Sequence, residues 1–92
     1  MNATHAVVTV LGADRTGIVA KIAGALADCG ANIDDIRQNV QGDIFSMTML
    51  VTLDEDATPF EGVQDALAAA GESLGVQVRL QREDVFKFMY NV

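Results

Sequence analysis

Residues 5–11 alternate, with Ala6, Val8 and Val10 on one side of the chain and His5, Val7, Thr9 and Leu11 on the other. A period of two, rich in β-branched residues, predicts a strand, and Gly12 is the expected end of it. The period then changes. Ile18, Val19, Ile22, Leu26 and Cys29 recur at helical spacing and define one buried stripe. Ala20, Ala23, Gly24, Ala25 and Ala27 keep the rest of that helix slim, and Gly30 is its natural stop. Asp14 or Thr16 is the expected N-cap.

Residues 31–40 are less regular, with Ile33, Ile36 and Val40 set among polar residues, and predict an edge-like or bulged strand. Gln41-Gly42-Asp43 follows as a hairpin turn in which Gly42 takes a positive φ. From Ile44 to Leu53 the pattern is that of the clearest strand in the chain: Phe45, Met47, Met49 and Val51 face one way, while Ser46, Thr48 and Thr52, interrupted by Leu50, face the other. Thr58, Pro59 and Glu61 form a capping-box start for a second helix with the stripe Phe60, Val63, Leu67 and Leu74. Gly71 weakens its last turns and Gly75 ends it. Val76, Val78 and Leu80 then alternate with Gln77, Arg79 and Gln81 as a fourth strand.

The order β-α-β-β-α-β predicts an α+β, ferredoxin-like sandwich, a four-stranded antiparallel sheet with both helices on one face. Residues 1–92 form one domain with its core at about 5–82. Beyond Arg82, the spacing of Val85, Phe88, Met89 and Val92 predicts a short apolar C-terminal helix over 83–92. So apolar a segment needs a surface to dock on, its own sheet or a second subunit.

Composition narrows the function. Half of the 92 residues are hydrophobic, ample for one packed core. No apolar run reaches the roughly 18 residues of a membrane span. The N-terminus lacks the basic-then-apolar layout of a secretory signal, and the single Cys29 has no intramolecular partner, so a cytoplasmic location is expected. A net charge of -7 argues against direct contact with nucleic acid or an anionic membrane.

The strand–turn–helix at 7–19 concentrates unpaired N–H groups and positive dipole at one point, where a small carboxylate or phosphate binds well. Gly12 and Gly17 match neither a P-loop nor a dinucleotide fingerprint. Asp14 beside the helix N-terminus pairs an anion-attracting site with a carboxylate, which suits an amino-acid zwitterion. Arg15 is read as solvated in preference to a carboxylate clamp. Asn32 is a turn former or presents its amide to a ligand shared with a neighbouring subunit. Asp34 and Asp35, adjacent on a strand, should point to opposite faces and chelate poorly. His5 has no second His or Cys to complete a zinc set. Ser46 and Ser73 lie in no nucleophile elbow, and Cys29, Met47 and Met49 fit core positions. Neither a catalytic constellation, a metal site nor a cofactor motif emerges. The class expected is a binding or regulatory module, not an enzyme.

Two stretches carry a resemblance: Val10-Leu-Gly-Ala-Asp-Arg-Thr-Gly-Ile-Val and Ala27-Asp-Cys-Gly-Ala-Asn-Ile-Asp-Asp-Ile. Together they resemble the ACT domain, in which the first turn has Asp-Arg-Pro-Gly-(aliphatic) and the helix ends in Gly-x-Asn-(aliphatic). Thr16 replaces the usual proline; Gly30-Ala31-Asn32-Ile33 fits fully. Phe86-Lys-Phe-Met-Tyr-Asn-Val is similar to the end of the free-standing single-ACT proteins related to the glycine cleavage system transcriptional repressor. The resemblance implies metabolic regulation through amino-acid binding, with the ligand between two subunits. Gly12, Asp14, Gly17, Ile18 and Val19 would come from one chain and Asn32 and Ile33 from the other. The amides at 17–19 would hold the carboxylate, and Asp14 or Asn32 the ammonium. It further implies a homodimer or higher homo-oligomer acting on an unidentified protein partner. The alternative is a ligand-free dimerisation module with a vestigial site.

Overall fold

The computed structural model describes residues 3–90, with side chains through Phe88. Its spine is β1 (Ala3–Ala13), flanked by β3 (Ile44–Asp54) and β4 (Gln77–Arg82). β2 (Asn32–Gln41) adds outside β3, giving the order β2-β3-β1-β4 with every pairing antiparallel. The α+β, ferredoxin-like plan expected from the chain is therefore the fold observed.

Alternation determines which side chains meet the helices. Ala6, Val8 and Val10 of β1 and Phe45, Met47, Met49, Val51 and Leu53 of β3 are buried against α1 (Ile18–Asp28) and α2 (Phe60–Leu74). The helices contribute Ile18, Ile22 and Leu26, and Val63, Leu67, Ala70 and Leu74. The opposite residues, Thr9, Leu11, Ser46, Thr48 and Leu50 among them, form an open face. Antiparallel sheets tolerate this because one packed face can stabilise them.

β1 does not stop at Gly12. It runs on to Ala13, paired with Ile44, and Gly12 lies inside it because a Cβ there would sit 2.6 Å from Val76 Cγ1. Gly71 is likewise a packing residue, not a weak point of α2. A Cβ on it would lie 2.7 Å from Val78 Cγ2 and 2.9 Å from the Val76 carbonyl oxygen, so its absence lets α2 close onto β4. The α2 N-cap is Pro59, with no side-chain cap, in place of the Thr58 capping box.

α3 (Glu83–Tyr90) follows β4 directly and contacts β1 and β4. Val7, on the open face of β1, is only 2% exposed, in keeping with this helix docking on its own sheet. Phe88 nevertheless stays 86% exposed. The Met89 side chain and Val92, both assigned to the apolar tail, lie outside the described residues. Lys87 Nζ and Glu83 Oε1, one turn apart, form an ion pair at 2.8 Å that lowers the glutamate and raises the lysine pKa. Among the described residues, no helix is long and apolar enough to cross a membrane.

Candidate functional site

The first turn is held by two hydrogen bonds to remote parts of the chain. Asp14 N–H donates to the Asp43 carbonyl at 2.8 Å, tying the turn to the β2–β3 hairpin. Arg15 is exposed, as expected, but its Nη1 also donates to the Leu74 carbonyl at 3.1 Å, so this guanidinium braces the turn against the end of α2. Gly17 then takes φ 90°, a left-handed conformation that side chains other than glycine adopt at a cost.

Gly17 is also the N-cap of α1, in place of Asp14 or Thr16. No side chain caps the helix there, and its first turn holds no acid. The N–H groups that open the helix are thus offered to whatever approaches, with the dipole behind them. Ile18 anchors the turn in the core and Val19 packs against it half-buried. Asp14 is exposed beside this opening.

The other end of α1 is closed. Gly30 N–H donates to Ala27 O and Ala31 N–H to Leu26 O, both at 3.0 Å, which is the Schellman arrangement. The chain leaves it straight into Asn32 at the start of β2. Ile33 pairs with Val51 and packs on the core, while Asn32, opposite Thr52, lies on the open-face side.

Between Ile33 and Asp35 the register shifts, leaving Asp34 as an extra residue. The alternation expected of Asp34 and Asp35 therefore fails. Asp34 accepts from Asn32 Nδ2 and from Thr52 Oγ1, each at 2.6 Å, and Thr52 in turn lies 3.3 Å from His5 Nδ1. Asp35, opposite Leu50, also falls on the open-face side and pairs with Arg37 at 3.4 Å. The hydrogen bond from Thr52, then that from Asn32, with a smaller effect of the His5 charge, hold the Asp34 carboxyl below its ordinary range. The two carboxylates serve separate partners. Among the described residues, no group of three or more His, Cys, Asp and Glu could hold a metal ion.

The residues named from the sequence thus form two clusters, not one. Gly12, Asp14, Gly17, Ile18 and Val19 gather at one end of the sheet; Asn32 and Ile33 stand at the other. Gly12 pairs with Phe45 and His5 with Thr52, the residue opposite Asn32. Seven residues of strand separate these rows, roughly 23 Å. Sequence reasoning missed the Asn32–Asp34–Thr52–His5 chain, because neither the position of the bulge nor the cross-strand register is visible in one sequence.

Known proteins share this fold. The family profile for the ACT domain matches residues 4–81. A UPF0237 protein of Methanopyrus kandleri is 52% identical over 89 residues, spanning 97% of this chain and 99% of its own. The solved structure of an ACT domain protein from Streptococcus pneumoniae superposes with a TM-score of 0.80 at 39% identity, over 97% of this chain and 100% of that one. A putative glycine cleavage system transcriptional repressor gives 0.79 at 26% identity, over 89% of this chain and 47% of that one. Fold, motifs and relatives agree: the chain belongs to the ACT domain family, a family of regulatory rather than catalytic modules that bind amino acids and other small molecules.

Proposed function

We propose that this chain is a homodimeric sensor of a small amino acid, acting through a protein partner, with each binding site shared between two copies. The observation that carries this reading is the position of the two clusters at opposite ends of β2, an edge strand. Antiparallel pairing of β2 with the β2 of a second copy, about a two-fold near Ile36–Arg37, lays the Asn32 end of one strand beside the Gln41 end of the other. The first turn is bound to that end through Asp14 and Asp43. Ile36 and Val40 support the same pairing, since both lie on the helix side of β2 yet are 38% and 49% exposed.

In such a pair the uncapped amides at 17–19 receive the ligand carboxylate. The ammonium meets Asp14 of the same chain, or Asn32 and the Asp34 carboxylate of the other. A small side chain fits against Ile18, Val19 and Ile33. The lone, buried and free Cys29 accords with a reducing, cytoplasmic setting. Exposed Phe88 and Val85 on α3 suit contact with the regulated partner.

A second reading, a ligand-free interaction module, is favoured by one observation. The Asn32 amide is already engaged by Asp34 at 2.6 Å. A thermal-shift screen against the twenty amino acids at millimolar concentration separates the two. A ligand of the folded state raises stability by about 2.7 kcal/mol at a hundred times its Kd. One or two amino acids should shift the melt, with the shift lost in Gly17→Val and Asn32→Ala. A flat screen on an intact dimer would establish the second reading instead.

A further inference from the structure

We propose that the open face of the sheet carries a second, independent binding site, for a small oxyanion of carboxylate or phosphate type, anchored by Arg79. The site is built by cross-strand register. Arg79, Thr9 and Thr48 stand in one row across β4, β1 and β3, and Gln77, Leu11 and Ser46 in the next. Together these residues line a depression of about 380 Å³. That volume is in the range of small-molecule sites, roughly 300–1,000 Å³.

Charge gives the ligand its class. The chain holds 13 acidic and 6 basic residues, yet the polar side chains lining this depression are an arginine, an amide and three hydroxyls, with no acid among them. The other arginines are all occupied: Arg15 by the Leu74 carbonyl, Arg37 by Asp35 and Arg82 by Glu55. Among the described residues, Arg79 alone of the arginines has no hydrogen bond or ion pair. Asp35, in the neighbouring row, is held by Arg37. A free guanidinium offers a planar fork of donors that matches an oxyanion, and hydroxyls beside it complete the shell. Leu11, exposed on the same floor, supplies an apolar surface for the body of an organic anion. The first turn of α1 belongs to the helix side of the molecule, so the two sites do not share donors.

The test is a two-dimensional amide NMR titration of the full chain with inorganic phosphate and, separately, acetate, at ionic strength held constant with chloride. The proposal predicts saturable shifts at Thr9, Ser46, Thr48 and Arg79, with the better-saturating anion naming the class. Arg79→Gln should weaken binding roughly tenfold or more, and Arg79→Lys by less, because it keeps the charge and loses the fork. Thr48→Val should weaken it without removing the charge. Arg79 is exposed, so the variants retain the native spectrum elsewhere. Shifts that never saturate, that chloride reproduces, that survive Arg79→Gln, or that fall only at 17–19 would overturn the proposal. None of these results depends on whether an amino acid binds the first turn.

Discussion

The sheet has two edges, and they are finished differently. β4 is six residues long and closely packed: Gly71 of α2 and Gly12 of β1 both lack a side chain where Val76 and Val78 press in, and α3 contacts the strand. β2 is ten residues long, and every residue of it except Ile33 is exposed. An edge that presents a row of unpaired N–H and C=O groups is a template for another strand unless something blunts it. The bulge at Asp34 blunts only the start of β2, leaving 35–41 regular. The difference separates an edge built for internal packing from one left open to strand pairing, which is where we propose that a second copy adds.

The largest effect should come from spoiling the closed edge. Gly71→Val places atoms where Val78 and the Val76 carbonyl already stand, and overpacking of this kind costs about 3 kcal/mol. Urea unfolding measures it, and a loss below about 1 kcal/mol would show that β4 is not tightly packed. Next comes the open edge. Ile36→Lys puts a charge at the two-fold twice over and should weaken the dimer about a hundredfold by sedimentation equilibrium, worth about 2.7 kcal/mol. The secondary structure and fold of the resulting monomer should be unchanged, since Ile36 is not part of the core cluster. A variant that unfolds would place β2 in the first class of edge.

Gly17→Ala is smaller. Nothing lies within 4 Å of a Cβ built there, so only the strain of φ 90° remains, about 1 kcal/mol in thermal melts. The weakest effect is a pH dependence at the start of β2. Asp34 is held below its ordinary value of 3.8 in the folded chain, so its contribution is complete above that pH and is lost as pH falls through the folded value. Asp34→Asn should therefore be less stable than the parent at pH 7, with the gap narrowing as the pH falls below 3.8. A gap that stays constant would mean that Asp34 does not titrate in this way.

What the sequence made legible follows from periodicity. The alternation of Ala6, Val8 and Val10 and of Phe45, Met47, Met49 and Val51 assigned both faces of the sheet, and the spacing of Ile18, Ile22 and Leu26 set the buried stripe of α1. The irregular apolar residues of 31–40 were enough to mark an edge-like or bulged strand; β2 is both. Features that depend on a tertiary neighbour were not legible. Gly12 and Gly71 looked like a strand end and a weak turn because Val76 and Val78 are remote in one case and hidden by folding in both. The bracing hydrogen bond of Arg15 was not legible because its acceptor is 59 residues away. Asp14, Thr16 and Thr58 matched N-cap preferences that the backbone did not use, since Gly17 and Pro59 took those positions. The two clusters of the candidate site were each visible as motifs; their separation along β1 required the register.

The central claim is that copies of this chain meet through β2. Distance measurement between nitroxide labels on Arg79→Cys, in a Cys29→Ser background, tests it most directly. Side-by-side pairing at β2 puts the two β4 strands seven strand spacings apart, which predicts a separation of roughly 33 Å between their backbones. A distance below about 20 Å would bring the β4 edges or the open faces together instead, and the absence of any dipolar coupling would mean that the chains do not pair; either result contradicts a site shared across β2.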